Sequence, residues 1–215
     1  MESSQDDPKE LSRTGYNQGA ARYLEWMQSH AHRRVLMLDK LYGYLGNRTT
    51  SATALELGCG AGDPVTISLA ERCQHVTAND ISSTQIAMAK ERLSGKTNFE
   101  MIESDMMELE FADGSFDTVV AFYSIIHLEQ GDQKELIGRI GRWLRKDGYL
   151  LCSFAAAETP KLISNDWLGM RMFWSSFGTE KSLEMVQEAG LTIVEKEITN
   201  DDDDAPFVFV IARKE

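Results

Sequence analysis

The order of apolar and polar positions along the chain predicts two helices followed by alternating strands and helices. Apolar residues recur at spacings of three and four within residues 14–47, which indicates a helical arm of two amphipathic helices. From residue 52 onward, short apolar runs alternate with helical patterns. The runs predict five strands, at residues 52–57, 75–79, 98–102, 116–122 and 149–154. Strands that alternate with helices favour a parallel sheet, because right-handed crossovers place the helices between the strands.

The last third of the chain departs from this alternation. A helical pattern over residues 180–189 is closed by Gly190 and followed by two further strand patterns, at 192–198 and 207–212. Two consecutive strands predict an antiparallel pair at the end of the sheet. The predicted fold is therefore α/β, a doubly wound, mostly parallel seven-stranded sheet with an N-terminal helical arm.

Two stretches lie outside these patterns. Residues 1–13 are polar and include Pro8, so we predict a disordered tail there and a single domain over residues 14–215. Residues 157–178 form a connection too long for a simple turn, and they hold two of the four tryptophans. Since so aromatic a connection must pack over something, we predict a lid insertion. The alternative is a satellite hydrophobic cluster that covers the edge of the sheet.

The most informative segment joins the first predicted strand to the next helix. Residues 55–64 read Leu-Glu-Leu-Gly-Cys-Gly-Ala-Gly-Asp-Pro, and the alternate glycines allow a sharp turn and close approach of a ligand to the backbone. A dinucleotide loop, G-x-G-x-x-G, would require glycine where Asp63 stands. Glu56 and Asp63 suit a ligand with an ammonium and a sulfonium better than a pyrophosphate, which prefers positive charge. Asp63 and Pro64 are expected as the N-cap and first residue of the next helix.

This loop resembles the first motif of the class I methyltransferases that use S-adenosylmethionine, in which an acidic residue stands two positions before G-x-G-x-G. Residues 111–128 and the antiparallel ending also resemble these enzymes, over roughly residues 14–214. The resemblance implies the sheet order 3-2-1-4-5-7-6, S-adenosylmethionine as the cofactor and methyl transfer as the activity. The residues around His127 and the segment 165–177 resemble a subgroup of small bacterial and fungal methyltransferases. We therefore predict O- or N-methylation of a small-molecule acceptor in specialised metabolism.

The resemblance also implies which residues bind the cofactor. Asp80 ends the second predicted strand, where a carboxylate can accept both ribose hydroxyls, and Asp105 after the third strand would take the adenine amino group. The alternatives are that Asp80 belongs to a strand-end turn with Ser82 and that Asp105 is a solvated loop residue. Cys59 has no evident activating base, so its thiol is predicted to be structural. The full predicted cofactor set is Tyr16, Glu56, Gly58, Cys59, Gly60, Asp80, Ile81, Gln85, Asp105, Met106, Phe122 and Tyr123.

Two residues are candidates for catalysis. His127 can take a proton from a hydroxyl or an amine, because histidine ordinarily titrates near neutrality; the alternative is that it braces the loop after the fourth strand. Tyr16 resembles the tyrosine with which family members close over the cofactor, and core packing is the alternative, more so for Tyr23. Orienting the acceptor against the cofactor's methyl group can lower the reaction barrier by about 7–11 kcal/mol. A general base typically accelerates a reaction only about 10²–10⁴-fold, so we expect orientation to contribute more. The predicted acceptor contacts are Tyr123, His127, Trp167, Met170 and Trp174.

The excess of acidic residues limits the kinds of molecule that the protein is expected to bind. With 22 Lys and Arg against 34 Asp and Glu, the formal net charge is −12, which repels nucleic acid and anionic membranes and favours a small-molecule substrate. No apolar run approaches the about 20 residues of a membrane-spanning helix, and no signal-peptide pattern is evident. The three cysteines show neither a disulfide framework nor zinc spacing. We expect a cytoplasmic monomer or homodimer that binds neither nucleic acid nor membrane.

Two further interpretations concern the acidic run and the class of protein. The carboxylates of residues 201–204 point in alternating directions in an extended chain, so they predict a solvated hairpin tip and no metal site. A non-catalytic regulator or scaffold that binds S-adenosylmethionine would carry the same glycine loop, and turnover would distinguish it. An NAD-dependent oxidoreductase is disfavoured by Asp63 and by the antiparallel ending, and binding of NAD would restore it.

Overall fold

The computed structural model describes residues 7–199 and 205–215 of the chain. Its helices are α1 (Pro8–Ser29), α2 (His32–Leu45), α3 (Val65–Arg72), α4 (Ser83–Arg92), α5 (Gln130–Trp143) and α6 (Thr179–Glu188). Its strands are β1 (Thr53–Leu57), β2 (His75–Asp80), β3 (Phe99–Glu103), β4 (Phe116–Ala121), β5 (Leu144–Ala155), β6 (Glu158–Trp167), β7 (Met170–Phe177), β8 (Leu191–Thr199) and β9 (Phe207–Lys214). Short 3₁₀ helices lie at Gly46–Ser51, Met106–Glu108 and Ile125–His127.

Seven strands form one sheet in the order β3-β2-β1-β4-β5-β9-β8. Strand β1 pairs in parallel with β2 and β4, whereas β9 runs antiparallel to its neighbours β5 and β8. Strands β6 and β7 form a separate antiparallel hairpin. Counted without that hairpin, the sheet has the predicted order 3-2-1-4-5-7-6. The α/β fold class and the antiparallel ending are therefore confirmed.

Alternation of side chains along each strand divides the core between the two faces of the sheet. On β4, Val120 packs into the cluster that includes α2, α3 and α4, whereas Val119 and Ala121 pack into the cluster with α5 and α6. All three side chains are fully buried. This double burial explains the unbroken apolar run in the sequence, because a sheet covered on both faces has no polar side.

The N-terminal arm begins earlier than the sequence pattern indicates. Helix α1 starts at Pro8, and the carboxylate of Asp7 accepts a hydrogen bond from the Lys9 N–H at 3.0 Å. Residues 8–13, predicted as part of a disordered tail, are helical because Asp7 and Pro8 form a good N-cap and first position and because Leu11 is buried. That part of the tail prediction is wrong, and residues 1–6 lie outside the described residues.

The segment predicted as an irregular lid is a β-hairpin. Leu168 and Gly169 turn the chain between β6 and β7, both with positive φ. Helix α1 packs directly on β7, and a Cβ atom at Gly19 would lie 1.8 Å from the Met170 sulfur. The helical arm and the hairpin therefore cover the same end of the sheet together.

One of two predicted helix starts differs in the structure. Ser82 caps α4 as predicted, because its hydroxyl accepts a hydrogen bond from the Gln85 N–H at 3.2 Å. Helix α3 instead begins at Val65 after Pro64, and no side chain caps it. The Asp63 carboxylate accepts a hydrogen bond from Gln28 of α1 at 3.3 Å, a partner that the local sequence pattern does not reveal.

Within the described part of the chain, no helix has the length and apolar character needed to cross a membrane. Nor do those residues include a group of three or more histidine, cysteine, aspartate or glutamate side chains arranged to hold a metal ion. The acidic run at 201–204 lies outside the described residues.

Candidate active site

The glycine loop sits at the carboxyl ends of β1, β2 and β4. The backbone N–H groups of Gly58 and Cys59 both donate to the Asn79 carbonyl at 2.8 Å, which fixes the loop against β2. Gly58 has a φ of 75°, and a Cβ atom there would lie 2.4 Å from Cβ of Ser124. The loop therefore requires glycine for both its conformation and its close packing.

Asp80 lies beside this loop with both carboxylate oxygens fixed by the backbone. Gly60 N–H donates to one oxygen at 2.8 Å, and Ser82 N–H donates to the other at 2.9 Å. Burial raises the pKa of Asp80 to about 6, while these backbone hydrogen bonds act in the opposite direction. Asp80 lines a pocket together with Gly58, Gly60, Ile81, Met106, Phe122, Tyr123 and Tyr16. Each carboxylate oxygen has further lone pairs to accept a ligand hydroxyl.

Glu56 and Arg34 line an adjoining hollow with Cys59. The Thr66 hydroxyl donates to one Glu56 oxygen at 2.6 Å, and burial raises the pKa of Glu56 to about 8. Arg34 on α2 is buried, donates to the His30 carbonyl at 3.3 Å, and lies 4.3 Å from the centre of the Tyr123 ring. A carboxyl group and a guanidinium thus face one hollow, and a bound ammonium would favour the ionised form of the carboxyl. Burial also raises the pKa of the Cys59 thiol, so this residue is not a thiolate.

Gln85 and Asp105 do not line these pockets, unlike the other predicted cofactor residues. Gln85 is fully buried, and neither side-chain amide atom has a hydrogen-bond partner among the described residues. Asp105 accepts a hydrogen bond from the Met107 N–H at 2.9 Å, and Nζ of Lys9 lies 2.6 Å from its other oxygen. Helix α1 therefore holds Asp105 through Lys9, a contact that the sequence pattern did not predict.

Tyr16 and His127 form a hydrogen-bonded pair at the centre of the site. Nε2 of His127 lies 2.8 Å from the Tyr16 hydroxyl, and Nδ1 lies 2.9 Å from the Phe173 carbonyl of β7. A carbonyl only accepts, so Nδ1 carries the proton and Nε2 accepts from Tyr16. Burial lowers the pKa of His127 to about 4, so the imidazole is neutral at neutral pH. Burial raises the pKa of Tyr16, which keeps its hydroxyl protonated.

A second, larger cavity of about 220 Å³ opens beside the glycine-loop pocket that Asp80 lines. The two share Tyr16, Tyr23, Tyr123 and His127. Beyond these shared residues, the cavity is lined mainly by Trp26, Trp167, Trp174, Leu162, Ile126, Phe207 and Arg34. The predicted acceptor residues Trp167 and Trp174 thus come together.

Met170, also predicted to contact the acceptor, does not line this cavity. Its side chain is 2% exposed and fills the space that Gly19 leaves on α1. Met170 packs against α1 in this structure because the residue opposite it, Gly19, leaves room for its side chain, and its contact with an acceptor stays a prediction.

Sequence reasoning missed Trp26, Arg34 and Phe207. Trp26 follows Tyr23 by three positions on α1, a spacing that puts both rings on one helix face and could have revealed it. Arg34 and Phe207 reach the site only through the packing of α2 and β9, so no local pattern marks them.

Comparison with known proteins shows similarity to methyltransferases over part of the chain. The model of the methyltransferase domain family matches residues 54–148. The magnesium-protoporphyrin O-methyltransferase of Rhodobacter capsulatus is 36% identical over 141 residues, which cover 63% of this chain and 57% of that protein. The chain spans about half the length of the curated relatives that it matches.

Solved structures share the fold over more of the chain. The 1,6-didemethyltoxoflavin-N1-methyltransferase of Burkholderia thailandensis, with bound 1,6-didemethyltoxoflavin and S-adenosylhomocysteine, has a TM-score of 0.76 at 19% identity and covers 100% of this chain and 93% of its own. The N-methyltransferase NodS of Bradyrhizobium japonicum, in complex with S-adenosyl-L-homocysteine, has a TM-score of 0.68 at 22% identity over 85% of this chain and 86% of its own.

The sheet order and the glycine-loop site define a class I, Rossmann-like methyltransferase fold. Residues 54–148 match the methyltransferase domain family, and the fold as a whole is similar to that of S-adenosylmethionine-dependent methyltransferases of this class. The family resemblance predicted from the loop is confirmed.

Proposed function

We propose that this protein transfers the methyl group of S-adenosylmethionine to oxygen or nitrogen of a small-molecule acceptor in specialised metabolism. One observation carries the proposal: the glycine-loop pocket and the aromatic cavity meet at Tyr16, Tyr23, Tyr123 and His127. A methyl donor in the first pocket and an acceptor in the second would meet at that junction. The net charge of −12 supports a small molecule rather than nucleic acid as the acceptor. We propose that the reaction takes place in the cytoplasm and that the protein is a monomer or a homodimer.

Two structural likenesses support the choice of cofactor. The B. thailandensis and B. japonicum structures both hold S-adenosylhomocysteine, the demethylated form of the cofactor. The polar groups of this chain fit the same molecule, because the backbone of Gly58 and Gly60 lines the pocket beside the Asp80 carboxylate. S-adenosylmethionine, when bound, supplies a methyl group on a positively charged sulfur.

The chain's own residues divide the binding work. Asp80 accepts the ribose hydroxyls while Gly60 and Ser82 hold its carboxylate in place. Glu56 accepts from the ammonium of the methionine end, whose positive charge favours the ionised form of this carboxyl, and Arg34 donates to the carboxylate of that end, because both side chains line one hollow. Met106 and Ile81 line the pocket as apolar neighbours of the adenosine. Asp105 is proposed to contact the adenine amino group with the oxygen that Lys9 does not occupy.

Tyr16 and His127 act on the acceptor by orientation more than by proton removal. Nε2 of His127 accepts a hydrogen bond from the Tyr16 hydroxyl. The lone pairs of the Tyr16 oxygen are therefore left to accept a hydrogen bond from an O–H or N–H of the acceptor. A His127 pKa of about 4 makes the imidazole a weak base. We therefore assign most of the acceleration to positioning, which can be worth about 7–11 kcal/mol.

Calorimetric titration with S-adenosylmethionine and S-adenosylhomocysteine tests the proposal, followed by a methyl-transfer screen against hydroxyl, amine and thiol acceptors. We expect micromolar binding of both ligands and release of S-adenosylhomocysteine with at least one hydroxyl or amine. Failure of both ligands to bind at millimolar concentration would refute the proposal. Tight binding without turnover on any acceptor would favour a non-catalytic regulator.

A further inference from the structure

The walls of the acceptor cavity are built from aromatic rings on two separate elements. Trp26 comes from α1, whereas Trp167 and Trp174 come from the hairpin. The Trp167 ring centre lies 5.8 Å from that of Trp26 and 5.5 Å from that of Trp174, both edge-to-face. On another wall, Tyr123 and Phe207 pack 4.8 Å apart. Such rings offer a ligand rigid faces and edges, which favour flat aromatic partners.

The described part of the cavity lining offers a cation no carboxylate. Of the described residues that line the cavity, Arg34 alone carries a permanent charge, and none is an aspartate, glutamate or lysine. His127 is neutral, and Arg34 lies at the end shared with the cofactor hollow, where the proposed function pairs it with a carboxylate. The described lining offers an ammonium group no carboxylate, so only the aromatic rings could replace its water.

The volume of the cavity limits the size of the ligand. An apolar cavity of about 150 Å³ binds benzene, and this cavity measures about 220 Å³. One substituted ring or two fused rings fill this space, and a third fused ring would extend beyond it. The reacting edge of the ring must face Tyr16 and His127, because the cavity meets the cofactor pocket there.

We propose that the acceptor is a flat, uncharged aromatic molecule of one or two fused rings with its reactive O–H or N–H at one edge. The rings pack against Trp167 and Trp174, and the reactive edge faces the Tyr16 hydroxyl. This inference rests on the proposed function and names the substrate class of the same site.

Calorimetric titration of the full-length protein saturated with S-adenosylhomocysteine tests the inference. The aromatic probes are catechol, 5-hydroxyindole and 2,3-dihydroxynaphthalene. Three matched probes test each requirement: trans-cyclohexane-1,2-diol lacks the aromatic ring, dopamine adds an ammonium, and phenanthrene-9,10-diol adds a third ring. We expect at least one aromatic probe to bind tenfold or more tightly than all three matched probes.

Several results of these titrations would contradict the inference. Equal or tighter binding of the cyclohexane diol, dopamine or phenanthrene diol overturns the inference, as does failure of all aromatic probes at millimolar concentration while S-adenosylhomocysteine still binds. The proposed function survives in those cases. If S-adenosylhomocysteine itself does not bind, the proposed function is wrong and the inference falls with it.

A pair of variants locates the contact. Trp174→Leu removes one ring wall, so the best aromatic probe should bind at least tenfold more weakly. Phe111→Leu makes the same kind of change in the core, where Phe111 packs 5.2 Å from Trp143, and it should leave probe affinity unchanged. The affinity for S-adenosylhomocysteine reports whether each variant is folded. Unchanged probe binding by folded Trp174→Leu would overturn the assigned position of the ring.

Discussion

Replacement of Glu56 by glutamine should stabilise the cofactor-free protein and weaken its binding of the cofactor. Glu56 is 4% exposed, and burial raises the pKa of its carboxyl from 4.5 to about 8. Glutamine keeps the shape of the side chain and can accept the Thr66 hydrogen bond, which measures 2.6 Å in the native protein. It has no proton to lose and no charge to offer an ammonium.

The size of the stabilisation follows from the two pKa values. Between pH 4.5 and 7 this carboxyl is ionised in the unfolded chain and protonated in the folded one. The free energy of unfolding therefore falls by about 1.4 kcal/mol per pH unit over that interval. The loss reaches about 3 kcal/mol at pH 7 and continues until the folded carboxyl ionises near pH 8. Glu56→Gln removes this loss, so it should be about 3 kcal/mol more stable at pH 7, or roughly 6–12 °C higher in Tm.

Urea unfolding at pH 5 and pH 7 without cofactor measures the effect. The stability gained by the variant should be small at pH 5 and grow toward pH 7. Glu71→Gln makes the same change at an exposed site on α3 and should stay within about 0.5 kcal/mol at both pH values. Stability of Glu56→Gln at or below wild type at pH 7, or a gain that is equal at both pH values, would refute the reasoning. Calorimetry should also show at least a tenfold weaker affinity for S-adenosylhomocysteine.

Five further substitutions and one pH profile test other parts of the site and the arm. Asp80→Asn should weaken S-adenosylhomocysteine binding at least tenfold by calorimetry, because hydrogen bonds to a charged group contribute about 1.5–3 kcal/mol each; unchanged affinity would contradict the ribose assignment. His127→Ala and Tyr16→Phe should each lower kcat about 10²-fold while cofactor affinity changes little. The wild-type kcat should show no inflection near pH 6.5, since the pKa of His127 is about 4; such an inflection would refute its burial as a neutral ring. Gly19→Ala combined with Met170→Ala should show a favourable coupling of about 1 kcal/mol or more in a double-mutant cycle, and additive effects would contradict the contact between α1 and β7.

Much of the fold and of the cofactor pocket was predictable because its determinants are local. The loop between β1 and α3 needs glycine at positions where φ is positive, and Asp80 follows from its place at the end of β2. The carboxyl ends of parallel strands meet at one edge of the sheet, so residues at those ends share a site regardless of what covers them. Ser82 was predicted correctly as a helix cap because its partner, the Gln85 N–H, lies only three residues away.

The predicted and observed positions of a residue differ where that position depends on a partner far away in the sequence. Residues 8–13 are helical partly because Leu11 is buried and Lys9 reaches Asp105, neither of which a polar composition reveals. Met170 packs into the gap at Gly19 instead of lining the cavity. Asp63 bonds to Gln28 across the site and does not cap its own helix.

Periodicity and turn chemistry act over a few residues, so they predict the class of sheet, its antiparallel ending and the glycine loop with its acidic neighbours. The character of the aromatic cavity and the roles available to His127 depend instead on how distant elements pack together. Tyr16 and His127 are 111 positions apart, yet their hydrogen bond fixes the tautomer of His127, and Tyr16 lines both the glycine-loop pocket and the aromatic cavity. Arg34 and Trp26 enter the site from helices that precede the sheet. Such contacts arise from packing between elements remote in sequence, so no local pattern encodes them.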